Sequence, residues 1–272
     1  MPQKTGAIPI VGCVRFSVLT EDYYAERFGT VERIAEHIFA PERLELRFKL
    51  FETLCLPAMT QQTDLGFRCV ILTSTLLPAD ARARLDALIA PHPHLSIYAA
   101  PPQKHYPLTR AAYFSALPEG AKRWIFFRID DDDAVSLDYI ERLRRIADCL
   151  DGLHPNEQFA IAFNHGFYLE LSEDESENSL IDGSERNPLS VGVALLSGGD
   201  DERSPYRYNH RMLATRYNLY SDMSATVFLR SVHRDNKSDP KKLGPADTMK
   251  RREVDRQVRE RFGLDPDKLR AL

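Results

Sequence analysis

The stretch Trp124-Ile125-Phe126-Phe127-Arg128-Ile129-Asp130-Asp131-Asp132-Asp133-Ala134-Val135 decides how the chain is read. Its mostly apolar first part shows no polar/apolar alternation, the pattern of a strand buried on both faces, as parallel strands covered by helices are. From Ala134 to Leu150, the residues Leu137, Ile140, Leu143, Ile146 and Ala147 recur at three- and four-residue spacing and predict an amphipathic helix. The aspartates thus fall between a central strand and a helix, at the edge where open α/β sheets bind ligands.

Four adjacent carboxylates repel one another, and each raises its neighbours' pKa unless a cation offsets the charge. Carboxylate oxygens at a strand end suit Mg²⁺ or Mn²⁺, hard ions that share their shell with substrate phosphates. An EF-hand does not fit, because Ala134 and Val135 stand where a ligand and the turn glycine belong. The structural alternative is a helix N-cap, with Asp133 capping and the other acids solvated.

Outward from this stretch, 272 residues suffice for a sizeable core, and 43% hydrophobic with 28% charged residues is an ordinary globular composition. A net charge of −4 gives no support to a nucleic-acid partner. Met1 to Val11 carries one lysine and no long apolar core, unlike a signal peptide, and no apolar stretch approaches membrane-spanning length. Cys13, Cys55, Cys69 and Cys149 are widely spaced in apolar contexts and read as reduced, buried thiols of a cytoplasmic protein.

Strand and helix alternate through the first 150 residues. Strands are expected at Ile8 to Leu19, Phe67 to Thr73 (ending at Ser74) and His94 to Ala100. Helices are expected at Thr20 to Ala40, Glu42 to Leu56, from Pro78 onward, and Leu108 to Leu117. This order argues for right-handed βαβ units and a mostly parallel sheet flanked by helices. Further on, Phe159 to Phe163 and Phe167 to Leu171 read as strands joined as a hairpin. Ser172 to Pro188 reads as a polar, acidic surface loop, and Val191 to Leu196 and Ala225 to His233 as late strands. Pro245 to Phe262 reads as a basic helix with Val254, Val258 and Phe262 on one side. Neither a repeat nor a linker divides the chain, so one domain is expected over 1–272. Residues 1–150 would form the nucleotide-sugar half and 151–272 the acceptor side.

Three stretches resemble the rhamnosyl transferase family, nucleotide-sugar glycosyltransferases of the GT-A type. They are Arg15-Phe16-Ser17-Val18-Leu19; Pro41-Glu42-Arg43-Leu44 through Phe48 and Phe51-Glu52 to Leu56-Pro57-Ala58 and Gln61-Gln62-Thr63-Asp64; and Arg128 to Ala134. A weaker echo lies at Val232 to Ser238. The resemblance implies a GT-A-like fold with a single central sheet and a sugar, rhamnose, donated by a nucleoside diphosphate (deoxythymidine diphosphate) to a glycan or lipid-linked acceptor. It also implies a bound Mn²⁺ or Mg²⁺.

By the same resemblance, Asp130 faces the ribose and Asp132 the metal, with Asp133 and His233 as further candidate ligands. Arg15, Ser17, Ser74, Asn236 and Lys237 are candidate donor contacts. Arg128 lies two residues before Asp130, on the same face of an ideal strand, and is a candidate for a carboxylate or phosphate, its structural role being charge compensation. The divalent ion would stabilise charge growing on the leaving diphosphate. An inverting transfer needs a carboxylate base. Asp222 is the candidate, with Asp200, Asp201 and Glu202 competing and His165 another cleft candidate. Tyr206 to Arg211 offers stacking faces and donors to an acceptor sugar. The arginines of the last helix suit either a solvated face or peripheral contact with the inner face of a membrane. Two other readings stay open: another metal-dependent phosphate enzyme such as a nucleotidyltransferase, and a non-catalytic nucleotide-sugar binder.

Overall fold

In a computed structural model of the chain, residues 7–172, 177–199, 201–236, 244 and 248–272 are described. The chain opens with strand β1 (Ile10–Arg15) and helices α1 (Ala25–Phe28) and α2 (Val31–Ile38). Helix α3 (Pro41–Leu50) continues through a π-helical turn, Phe51–Cys55, into α4 (Leu56–Thr60). Then come β2 (Arg68–Ser74), α5 (Ala79–Ile89), β3 (Leu95–Ala100), α6 (His105–Ala116), β4 (Arg123–Asp130), β5 (Asp133–Val135) and α7 (Tyr139–Leu153). The second half holds β6 (Phe159–Phe163), β7 (His165–Glu170), β8 (Ser179–Ser184), β9 (Ala194–Gly198), β10 (Asn218–Asp222), β11 (Phe228–Val232), α8 (Arg251–Gln257) and α9 (Pro266–Arg270).

These strands form two separate sheets. The first has seven strands in the order β10-β6-β9-β4-β1-β2-β3, and the second has four in the order β5-β11-β7-β8. This corrects the expectation of a single GT-A-like central sheet. In the larger sheet β1, β2, β3 and β4 are mutually parallel, as the βαβ pattern requires, while β9 runs antiparallel to both β4 and β6. In the smaller sheet only β11 and β7 are parallel.

The same division corrects three local expectations. Asp133-Ala134-Val135 is a strand of the second sheet, so the helix begins only at Tyr139 and the residue before it is Asp138, not Asp133. The segments around Phe163 and Phe167 do not form a hairpin, because β6 and β7 belong to different sheets. Part of the acidic segment, Ser179–Ser184, is a strand paired with β7. The helix expected over Thr20 to Ala40 is broken at Gly29, whose φ of 82° ends α1. Cys13, Cys55 and Cys69 are buried as expected, but Cys149, on the outer face of α7, is exposed.

The core explains these elements. β4 is buried along Trp124 to Ile129, and α7 buries Tyr139, Ile140, Leu143, Ile146 and Ala147 against it. Each large apolar side chain so buried contributes about 1.5–3 kcal/mol. The α3–α4 helix packs Phe48 and Phe51 on Phe16, with ring centroids at 4.7 and 5.4 Å. Buried Gln62 then fastens this helix to the acidic stretch: its Nε2 donates to Ser136 O at 2.8 Å, and its Oε1 accepts the Ile140 N–H at 2.9 Å. Helix α8 and the π-helical turn that continues it, Val258–Phe262, bury Val254, Val258 and Phe262, as their spacing predicts.

Candidate active site

β1 and β4 are parallel neighbours with Arg15 in register with Asp130, so the two side chains leave adjacent strand ends together. Arg15 donates from Nε (2.9 Å) and Nη2 (2.6 Å) to Asp130 Oδ1, and its Nη1 lies 3.1 Å from His105 Nε2. Its Cζ sits 4.9 Å from the Tyr23 ring centroid and 5.1 Å from that of Tyr206. Burial pushes the Asp130 carboxyl up, but Arg15 and Arg128 outweigh it and hold the carboxyl below the usual range.

Beyond the strand end, α3 brings Arg47 to the next two acids. Arg47 Nε donates to Asp131 Oδ2 at 3.0 Å, Nη1 to Asp132 Oδ2 at 2.8 Å, and Nη2 to Asp131 Oδ1. His233, at the end of β11, stands behind Asp132 with Nε2 3.0 Å from the same Oδ2. Burial raises the Asp132 carboxyl, yet Arg47 and His233 hold it well below normal. Asp133 differs. Its Oδ1 accepts the Ser231 N–H at 3.1 Å, and burial, reinforced by the charge of Asp132, pushes its carboxyl well up.

These groups, except His233, which lies behind Asp132 outside the lining, share one cleft of about 510 Å³, lined by Arg15, Ser17, Arg128, Asp130 to Asp133, Arg230, Asn236 and the segment Tyr206 to His210, among others. Ser17, at the end of β1, is held at φ 44°, a strained conformation for a residue other than glycine, with its Oγ 3.4 Å from Arg43 Nη1. Asn236 Oδ1 accepts the His233 N–H at 2.7 Å.

The structure does not bring every candidate here. Ser74 is buried outside the cleft lining, its Oγ accepting the Leu76 N–H at 3.1 Å. Asp222, at the end of β10, is buried outside the lining too: its carboxylate accepts the Ser224 N–H at 2.8 Å and lies 4.0 Å from Arg142. His165 is not in the lining, Asp201 is paired with Arg203, and Glu202 with Arg110. Lys237 and Asp200 lie outside the described residues.

Sequence reasoning missed Arg47, Arg230 and His105, whereas Tyr206 to His210, singled out for the acceptor, does line the cleft. Arg47 had a signal: it falls between Leu44, Phe48 and Phe51 on the apolar face of its helix, where a guanidinium needs a buried partner. Arg230 and His105 carry no comparable mark.

Among the described residues no group of three or more His, Cys, Asp or Glu side chains is gathered around a metal position. The C-terminal arginines are mostly paired: Arg251 with Glu177, Arg256 with Glu253 and Glu260, Arg259 with Asp267, and Arg270 with Asp255. No helix among the described residues is long and apolar enough to cross a membrane.

An acid- and arginine-lined cleft at the C-terminal ends of parallel strands is the setting of enzymes that act on phosphorylated ligands. The chain belongs to the family described as "Putative rhamnosyl transferase", which matches residues 9–245. No curated protein matches it. Among solved structures it is similar to S. aureus TarS 1-349 in complex with UDP-GlcNAc, at 10% identity and a TM-score of 0.44, over 84% of this chain and 60% of that one. It is also similar to HddC from Yersinia pseudotuberculosis, at 11% identity and a TM-score of 0.33, over 83% of this chain and 90% of that one. The chain thus spans less than two thirds of the TarS structure's length.

Proposed function

We propose that the cleft binds a nucleoside-diphosphate sugar and transfers the sugar to a hydroxyl acceptor, with a divalent cation. The observation that carries this reading is the convergence of Asp130 to Asp133 with Arg15, Arg47 and His233 at one strand edge. Rhamnose as the sugar rests on the family description alone, and deoxythymidine diphosphate as its carrier on the family resemblance set out above.

The donor chemistry of the acidic run suits Mn²⁺ or Mg²⁺. Asp133 carries a buried carboxyl with no guanidinium in ion-pair contact, and Asp132 lies next to it. Such ions are commonly held by one or two carboxylates, with substrate phosphates completing the shell, so two protein ligands are enough. His233 fits less directly: its Nδ1 accepts the Asp235 N–H at 3.3 Å, which places the proton on Nε2, facing Asp132. Ligation through Nε2 would move that proton and break the Asp235 contact. A bound ion would neutralise charge on the departing diphosphate.

The chain's own residues supply the rest. Arg15 fixes the Asp130 carboxylate as an acceptor for ribose hydroxyls, and the Tyr23 ring offers a face beside it. Arg47 holds Asp131 and Asp132 in place, and Asn236 with Ser17 adds polar groups along the same wall.

Thermal melting with UDP, GDP and dTDP, with and without Mn²⁺, tests the reading on wild type and Asp132→Asn. A ligand bound only by the folded chain raises Tm as RT ln(1 + [L]/Kd). A shift that needs both Mn²⁺ and one diphosphate, and is lost in the variant, is expected. Absence of any diphosphate shift would sink it. Incubation with the matching nucleotide sugar then separates transfer or hydrolysis, which release an intact nucleoside diphosphate, from binding without turnover.

A further inference from the structure

Most charges in the cleft wall are matched. Asp130 has Arg15, Asp131 and Asp132 have Arg47, and Asp235 has Arg43 at 2.8 Å. Apart from the exposed Arg207, two guanidiniums remain, both buried. Arg128 is 8% exposed and Arg230 6% exposed; both line the cleft, and no hydrogen bond or ion pair among the described residues engages either guanidinium. Arg128 lies over the Tyr206 ring, its Cζ 4.1 Å from the centroid, while its Nε and the Tyr206 hydroxyl are buried without partners. Arg230 sits opposite Asp133 across the β11–β5 ladder without forming an ion pair with it. His210, whose Nδ1 lies 2.6 Å from Pro188 O, lines the same wall within electrostatic reach of both guanidiniums.

A buried guanidinium whose N–H groups meet no acceptor is costly, and this cleft holds two, which feel the charges of Asp130 and Asp133 without touching them. Guanidiniums from two different elements suit a phosphate, whose several oxygens accept from both at once. We propose that Arg128 and Arg230 form an anion subsite, and that the anion is a phosphate group carried by the acceptor. This rests on the transferase reading above, in which the donor's diphosphate meets its counter-charge at Asp132 and Asp133 through the cation. The surplus at Arg128 and Arg230 is then left for the second substrate. The segment that adjoins it, Tyr206 to His210, supplies an aromatic face and polar groups for the body of that acceptor.

Inorganic phosphate is the probe, titrated calorimetrically into the full chain with and without saturating dTDP and Mn²⁺. Phosphate is expected to bind with the nucleotide already in place. Arg128→Gln and Arg230→Gln should each weaken it about tenfold or more, the value of one charge-assisted contact. Arg230→Lys should restore part of the phosphate affinity. The melting temperature of each Gln variant without ligand, read beside that of wild type, separates a lost phosphate contact from a lost fold. Competition between phosphate and dTDP would overturn the acceptor assignment and give the arginines to the donor's diphosphate. No phosphate binding, or binding untouched in both Gln variants, would overturn the subsite itself. Phosphate binding that both arginines control, in a chain that binds no nucleotide, would uphold the subsite and overturn the donor reading instead.

Discussion

Arg47 and Asp131, 84 positions apart in the chain, form a buried ion pair in which the same guanidinium also holds Asp132. Asp131 is wholly inaccessible, and Arg47 is 8% exposed. A helix of the first quarter of the chain therefore fixes the acidic loop that follows β4.

Removing one partner of such a pair leaves the other charge buried and unpaired. Arg47→Met should lower stability by about 3–5 kcal/mol. Arg47→Met combined with Asp131→Leu should recover part of that loss, because the uncompensated carboxylate goes with it. Urea denaturation of the two variants and wild type reads both numbers; equal losses would show that the ion pair is not the cause.

Arg15 plays the corresponding part at Asp130, the end of the cleft proposed to meet the ribose. Its guanidinium reaches Asp130 through two nitrogens and lies near the Tyr23 and Tyr206 rings, which a lysine ammonium cannot reproduce. Arg15→Lys should weaken nucleoside-diphosphate binding about tenfold or more, seen as a reduced melting shift at fixed ligand concentration. A shift equal to wild type would remove Arg15 and Asp130 from the donor site.

His210 gives the cleft a pH signature. Burial, then the charges of Arg128, Arg230 and Arg211, lower its pKa from 6.5 to about 4. A histidine depressed in the folded state is protonated first in the unfolded chain, so its contribution to stability is full above pH 6.5 and is lost as pH falls toward 4. The loss amounts to at most about 3 kcal/mol. His210→Gln should flatten the fall in stability across this window relative to wild type, measured by urea unfolding at stepped pH. Parallel curves for the two proteins would rule the effect out.

Gly12 and Phe127 are register partners of β1 and β4, and a Cβ at Gly12 would stand 2.2 Å from Phe127 Cζ. Gly12→Ala should cost about 1–3 kcal/mol by overpacking. Gly12→Ala with Phe127→Leu should cost less than the sum of the two single changes, since they share one space. Chemical denaturation of the four proteins in the cycle checks this, and strict additivity would contradict it.

Several parts of this architecture were legible in the residues themselves. The uninterrupted apolar run before Asp130 marks β4, and the spacing of Ile140, Leu143, Ile146 and Ala147 marks α7, because burial on one or both faces leaves a local period. The convergence of Arg15 with Asp130 followed from both residues closing strands that proved to be parallel neighbours. Asp222 and Ser74 also end strands, yet neither faces the cleft; position at a strand end does not say toward which side a chain turns.

By itself the sequence determined the βαβ order of the first 150 residues, the acidic strand end, and a family resemblance that the match over residues 9–245 bears out. Local spacing and composition carry those features, since each depends on neighbours within one or two turns of chain. Only the tertiary structure decided that Asp133 to Val135 joins β11, β7 and β8 in a second sheet, that Arg47 neutralises Asp131 and Asp132, and that Arg128 and Arg230 touch no carboxylate among the described residues. Strand partners and charge partners are chosen across tens to hundreds of residues, by which surfaces pack and which charges are left to be balanced, and no local pattern encodes that choice.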